Sequence, residues 1–138
     1  MMRLHASAVA YDGKGVLIQG ASGSGKSGLC LQLMALGALL TSDDQTELER
    51  RGDAIWASAP DPLHGLIEAR GIGLLRADAA PAPIALVIDM DQVEPDRLPP
   101  LRQFDILGVT LPLFQKVDSN AWPAGILQYL KRGRSAPG

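Results

Sequence analysis

The sequence predicts an α/β fold: a mixed sheet with hairpins and few helices. Three observations carry this. Residues 20–27 read Gly-Ala-Ser-Gly-Ser-Gly-Lys-Ser, and the string stands between a short apolar run and a helical pattern. Few stretches have helical spacing after the one that opens at Lys26, and the clearest starts at Ala121. Much of the remainder consists of short apolar runs separated by turn signals such as Asp12-Gly13 and Arg51-Gly52-Asp53. A doubly wound domain would alternate strand and helix strictly, and too few helices follow the first one for that.

Taken in order, residues 4–11 have strand composition and lead into the hairpin signal at Asp12-Gly13. Residues 15–19 form the strand that feeds the glycine-rich string. From Lys26, Leu29, Leu33 and Leu36 recur at helical spacing, Cys30 and Met34 widen the stripe, and Gly37 supplies a C-terminal cap. Residues 38–41 are a short strand ending at Ser42-Asp43-Asp44. Residues 46–50 and 54–58 form a hairpin. Pro60 and Pro62 precede residues 63–71, expected as a short helix or turn ending at glycine. Residues 72–76 are a short strand and 77–83 a loop. Residues 84–88 are the most apolar strand candidate and belong in the middle of the sheet. Residues 91–105 have the profile of a mobile surface loop, 106–111 of a last strand, and 121–132 of a terminal helix with Pro123 in its first turn. One domain is expected over residues 1–132, with a disordered tail at 133–138.

The length of 138 residues suits one domain with a real core. A formal charge of −2 argues against a nucleic-acid-binding protein, which carries a basic excess or stripe. Cys30 is the only cysteine, so there is no disulfide framework, and its place in the first helix reads as a small buried hydrophobe. No apolar run approaches membrane-spanning length and no signal sequence precedes Arg3 and His5, so the expected compartment is the cytoplasm, with no membrane partner.

The string from Gly20 to Ser27 is a complete phosphate-binding loop. Gly20, Gly23 and Gly25 permit backbone angles that turn successive N–H groups inward, with Ala21, Ser22 and Ser24 completing the cradle. The helix opening at Lys26 adds unpaired donors and partial positive charge. Lys26 reaches the β- and γ-phosphates, and the Ser27 hydroxyl ligates Mg²⁺. The Lys26 side chain is expected to point into a solvated site, so that its removal has a small structural cost. Two acidic groups compete for the second metal ligand. Asp89 ends an apolar strand, as an ordinary Walker B acid does. Asp43 and Asp44 end another strand, and adjacent strand residues point in different directions, so one carboxylate holds metal or water while the other meets the acceptor. His64 reads as a surface histidine.

In combination these residues resemble the catalytic domain of the bacterial HPr kinase/phosphorylase family. His5-Ala-Ser7 ahead of a hairpin, the segment from Gly15 to Ser27, the Ser42-Asp43-Asp44 string, residues 66–73 (Leu-Ile-Glu-Ala-Arg-Gly-Ile-Gly), Asp96-Arg97-Leu98 and residues 106–112 follow one another as in that family. The resemblance implies a P-loop kinase fold of the phosphoenolpyruvate carboxykinase-like type, a usual hexameric assembly, and transfer of phosphate from ATP or pyrophosphate to a serine of an HPr-like phosphocarrier protein of the sugar phosphotransferase system. It also implies roles. Asp44 takes the acceptor hydroxyl proton, and His5 sits against Asp44 and tunes its basicity. Ser27 and Glu68 hold Mg²⁺, with Asp43 a further candidate, while Lys26 and Arg97 stabilise the transferring phosphoryl group. The stretch containing Arg70, Gly71 and Gly73 supports both directions of reaction. Three departures stand out. His5 lies almost at the start, as in short members lacking the N-terminal domain. The loop at 77–83 is trimmed. Residues 112–118 (Pro-Leu-Phe-Gln-Lys-Val-Asp) lack the arginines of the element linked to dephosphorylation, and Lys116 is a poor substitute for a bidentate fork. A small-molecule P-loop kinase using Asp89, and a non-catalytic nucleotide-binding regulator, are the competing readings.

Overall fold

The structure, a computed structural model, describes residues 1–135. The first strands are β1 (Met2–Leu4), β2 (Ala6–Tyr11) and β3 (Lys14–Gln19). Helix α1 (Lys26–Ala35), β4 (Leu39–Ser42) and the hairpin β5 (Thr46–Arg51) and β6 (Ala54–Ser58) follow. A single 3₁₀ turn at Asp61–Leu63 leads to a small hairpin, β7 (Leu66–Ala69) and β8 (Gly73–Arg76). The long β9 (Ala82–Val93), the hairpin β10 (Gln103–Ile106) and β11 (Val109–Lys116), and α2 (Trp122–Arg132) complete the chain.

The sheet is mixed and runs in the order β1-β5-β6-β9-β3-β2-β4, with β10 and β11 attached to β9. β3 and β11 both run parallel to β9, whereas the hairpin neighbours are antiparallel. Residues 84–88 are therefore central, as their unbroken apolar character requires. Alternation along β3 and β9 divides the core into two layers. Val16, Ile18, Leu86 and Ile88 face Leu29, Cys30 and Leu33 of α1 and Ile126, Leu127 and Leu130 of α2. Leu17 and Val87 face the other way, onto Leu48 and Ile55 of the β5–β6 hairpin and onto Ile106 and Leu111. Lys14 Nζ donates to the Leu130 carbonyl at 2.6 Å, placing a cation at the C-terminal end of α2.

Several expectations are corrected. Residues 63–71 are not a helix: Ile67 and Ala69 are buried on one side of a strand, while Glu68 and Arg70 are exposed. Leu36 is 49% exposed and lies beyond the last helical residue, so the α1 stripe stops at Leu33. The expected loop at 91–105 shrinks, because β9 continues to Val93 and β10 begins at Gln103. The base of the remaining loop is closed by the Glu94–Arg102 ion pair at 2.8 Å. The expected single strand at 106–111 is broken by a hairpin corner at Leu107 (φ 50°) and Gly108 (φ 83°), so that Ile106 ends β10 and Val109–Leu111 begin β11. Of the expected tail, Arg134 donates to the Pro99 carbonyl at 2.8 Å, and residues 136–138 lie outside the described residues.

Candidate active site

The glycine-rich loop emerges from β3 and delivers its last residues into the first turn of α1. Gly25 is left-handed (φ 100°) at the helix N-cap, which a residue with a Cβ adopts only under strain. At Gly20 a Cβ would stand 2.6 Å from Ser24 Oγ and 3.0 Å from Met90 Cβ, so the loop closes on itself only because nothing projects there. The Ala21 amide is held by both oxygens of Asp91, at 3.0 and 3.1 Å, and the Asp91 amide donates to Asp89 Oδ1 at 2.9 Å. The start of the loop is thus fastened to β9 near that strand's end.

Lys26 does not point into open solvent as expected. It is 6% exposed, and its Nζ donates to the carbonyls of Gly20 at 2.8 Å and Ala21 at 3.0 Å. The ammonium is parked across the loop by the carbonyls it would exchange for phosphate oxygens. His5 adjoins it: Nε2 lies 3.4 Å from Lys26 Nζ and 3.3 Å from Ser22 Oγ, while Nδ1 lies 3.3 Å from Asp44 Oδ1. An imidazole protonated on Nδ1 satisfies all three, donating to Asp44 and accepting at Nε2.

Asp43 and Asp44 point apart, but they lie just beyond the end of β4, and a tight turn rather than strand alternation separates them. Asp43 is 6% exposed; Oδ1 accepts from Ser7 Oγ and Ser27 Oγ, each at 2.7 Å, and Oδ2 accepts from the Glu68 amide at 3.0 Å. One carboxylate therefore ties β2, the phosphate loop, β4 and β7 together. Asp44 turns outward. Its amide donates to Ser7 Oγ at 3.0 Å, and the Gln45 amide closes a three-residue turn on the Asp43 carbonyl at 2.8 Å. With φ 70° at its central residue this is the rare, strained form of that turn, and it holds the Asp44 carboxylate at the surface beside His5.

Ser27 Oγ and Asp43 form an oxygen pair next to the phosphate loop. Among the described residues no group of three or more His, Cys, Asp or Glu side chains could hold a metal ion. Two protein oxygens nonetheless fit Mg²⁺, which characteristically takes one or two carboxylates and completes its shell with water and phosphate. Glu68 reaches this pair through its backbone, and its side chain is exposed; Arg70, Gly71 and Gly73 are likewise exposed on the β7–β8 hairpin. Arg97 is not drawn into the network. It sits on the loop closed by Glu94 and Arg102 and lines a separate cavity of about 790 Å³ with Phe114, Trp122 and Tyr129. Asp89 meets Asp91, whereas the Ser27 hydroxyl goes to Asp43.

Sequence reasoning missed Ser7 and Asp91. Asp91 stands two residues beyond Asp89 on the same strand, a spacing that places both on one face. Ser7 belongs to the His5-Ala-Ser7 string of the resemblance, but as one polar residue in an apolar strand it receives no role there. Cys30 is fully buried; burial, reinforced by the nearby Asp43 charge, pushes its thiol pKa strongly up, which suits packing and not reactivity. His64 is exposed.

The HPr Serine kinase C-terminal domain family model matches residues 1–112. The HPr kinase/phosphorylase of Geobacillus thermodenitrificans is 36% identical over 115 residues, 77% of this chain and 36% of that relative. That of an Exiguobacterium species is 42% identical over 76 residues, covering 54% of this chain and 24% of the relative. The chain thus spans about a third or less of the length of these curated relatives. The solved structure of the Hpr(Ser) kinase/phosphatase from Coxiella burnetii superposes with a TM-score of 0.78 at 26% identity, over 95% of both chains. The chain belongs to the HPr serine kinase C-terminal domain family.

Proposed function

We propose, from this membership and the site geometry, that the chain is a protein serine kinase. It transfers a phosphoryl group from a nucleoside triphosphate, ATP in the first instance, to a serine of an HPr-like phosphocarrier. The observation that carries the reading is the divergence of Asp43 and Asp44: one carboxylate is buried on Ser27, and its neighbour is exposed on His5. A phosphoryl-transfer site needs both a metal-side oxygen and an acceptor-side base.

In this account the loop amides and Lys26 cradle the phosphates, with Lys26 leaving the carbonyls of Gly20 and Ala21 to do so. Ser27 and Asp43 hold Mg²⁺, with Glu68 approaching from the β7–β8 hairpin. When bound, the metal would neutralise charge on the transferred group. Asp44 accepts the serine proton, and His5 fixes the orientation of its carboxylate. Arg97 reaches the phosphoryl group only if its loop moves toward the phosphate loop. Residues 1–132 act as one catalytic unit, cytoplasmic and assembled as a hexamer, within the control of carbohydrate uptake. Phosphorolysis is the weaker direction, since residues 112–118 offer Lys116 in place of arginines.

Incubating the chain with Mg²⁺, ATP or pyrophosphate, and HPr-like proteins tests the reading. Phosphoserine on the carrier supports it. Turnover of a small-molecule acceptor would favour the kinase reading based on Asp89, and nucleotide binding without transfer would favour a regulator.

A further inference from the structure

Beside the phosphate loop lies a cavity of about 450 Å³ that no step above uses. Gly25 at the N-cap of α1, with Gly28 and Gln32 within the helix, forms one wall, and the segment from Lys116 to Trp122 forms the other. Its volume falls within the roughly 300–1,000 Å³ of small-molecule sites. Because Gly25 belongs to both, a ligand with its phosphates in the loop has its other end beside this cavity.

Two features equip the far wall. The register of β11 on β9 slips after Gln115, which lies opposite Asp89, so that Lys116 lies opposite Val93. Such an irregularity re-aims the side chain that follows it. Lys116 Nζ accordingly lies 3.5 Å from the Ser24 carbonyl of the glycine-rich loop, and Lys116 lines the cavity. Two residues on, Asp118 brings a carboxylate to the rim, where it is exposed and makes no ion pair among the described residues. Trp122 adds an aromatic wall. A flat, apolar-faced group with hydrogen-bond donors on one edge matches this lining.

We propose that the cavity takes the base of a purine nucleotide, with the Lys116 stem packed along the ring and Asp118 accepting from its amino-bearing edge. Guanine presents its ring N–H and adjacent amino group to the two carboxylate oxygens, whereas adenine presents one amino group. Guanine is therefore held more strongly by Asp118. The inference rests on the phosphate-loop reading above and specifies its donor as a nucleotide in preference to bare pyrophosphate.

Calorimetric titration of the full chain with the Mg²⁺ complexes of GTP, ATP and pyrophosphate tests this. Wild type should bind both nucleotides at least about tenfold more tightly than pyrophosphate. Asp118→Ala, at an exposed position, should weaken GTP by about tenfold or more, the scale of a lost charged hydrogen bond. It should weaken ATP less and leave pyrophosphate unchanged. In a Trp56→Phe background, Trp122 fluorescence should respond to nucleotide and not to pyrophosphate. Nucleotides binding no tighter than pyrophosphate, or an Asp118→Ala chain with unchanged GTP affinity, overturns the base pocket while leaving the phosphate loop intact. A larger loss for ATP than for GTP overturns the edge assignment. No binding by any of the three contradicts the phosphate-loop reading itself.

Discussion

Replacing Asp43 and Asp44 with asparagine, one at a time, separates a scaffold role from a chemical one at neighbouring positions. The Asp43 carboxylate is buried and accepts three hydrogen bonds, from Ser7, Ser27 and the Glu68 amide. An asparagine presents one carbonyl oxygen. If that oxygen keeps the two hydroxyls, the amino group opposes the Glu68 N–H, which cannot turn away. If the amide flips, Ser7 and Ser27 lose their shared acceptor. Either way about one charge-assisted bond is lost, at about 1.5–3 kcal/mol. Against a total stability of about 5–15 kcal/mol this lowers Tm by roughly 5–10 °C. Asp44 contrasts on each point. Its side chain is 64% exposed, its contact with His5 is at the surface, and asparagine tolerates its left-handed backbone. Asp44→Asn should therefore stay within about 0.5 kcal/mol of wild type, while serine phosphorylation falls by about 10²–10⁴-fold, the scale of a lost general base. Thermal melts and a phosphorylation assay on the same preparations decide it. An Asp43→Asn chain melting within about 1 °C of wild type, or an Asp44→Asn chain destabilised as far as Asp43→Asn, refutes the reasoning.

Lys26→Ala should abolish transfer and also cost about 1–3 kcal/mol in urea unfolding, because two loop carbonyls lose their donor; full stability would contradict the parked geometry. Gly20→Ala should cost about 1–3 kcal/mol and weaken nucleotide binding, since its Cβ meets Ser24 Oγ and Met90 Cβ. The Arg102 hydrogen bond holds the Glu94 carboxyl below its ordinary value of 4.5. Its contribution is present above that unfolded value and lost as pH falls through the lower folded one, so Glu94→Gln should flatten the acid limb of the stability curve below about pH 4.5. An acid limb unchanged in Glu94→Gln would contradict it. Phosphorylation should outpace phosphate-dependent dephosphorylation on one preparation, and equal rates at saturating phosphate would show that the missing arginines do not matter.

Much of the architecture was legible because its signals are local and chemically forced. Asp12 and Gly13 both adopt positive φ, as a two-residue hairpin turn demands, and their sequence says so. The glycine-rich loop announces itself through its glycines, and the central strand through its uninterrupted apolar run. The hairpin at Leu107-Gly108 was illegible for the converse reason: leucine is a poor left-handed residue, and tertiary contacts hold it there, including Arg50 donating to the Leu107 carbonyl at 3.0 Å. The four residues of β7 are too few to display a period. At the site, the sequence pointed to two carboxylates facing different ways, but the cause is a turn with Asp44 at φ 70° beyond the end of β4 and not strand alternation. The hub formed by Ser7, Ser27 and Asp43, the clamp of Asp91 on Ala21, and the separation of Arg97 from the loop all depend on long-range pairing that no short string encodes.

The central claim is tested most directly by locating phosphate on the acceptor. An HPr-like protein is incubated with Mg²⁺-nucleotide and either the wild-type chain or Asp44→Asn, and the modified residue is mapped by tandem mass spectrometry. The account predicts a single phosphoserine with wild type and next to none with Asp44→Asn, although the variant binds nucleotide normally. Phosphoserine formed equally by both chains, or lost with Asp89→Asn and not with Asp44→Asn, would contradict it.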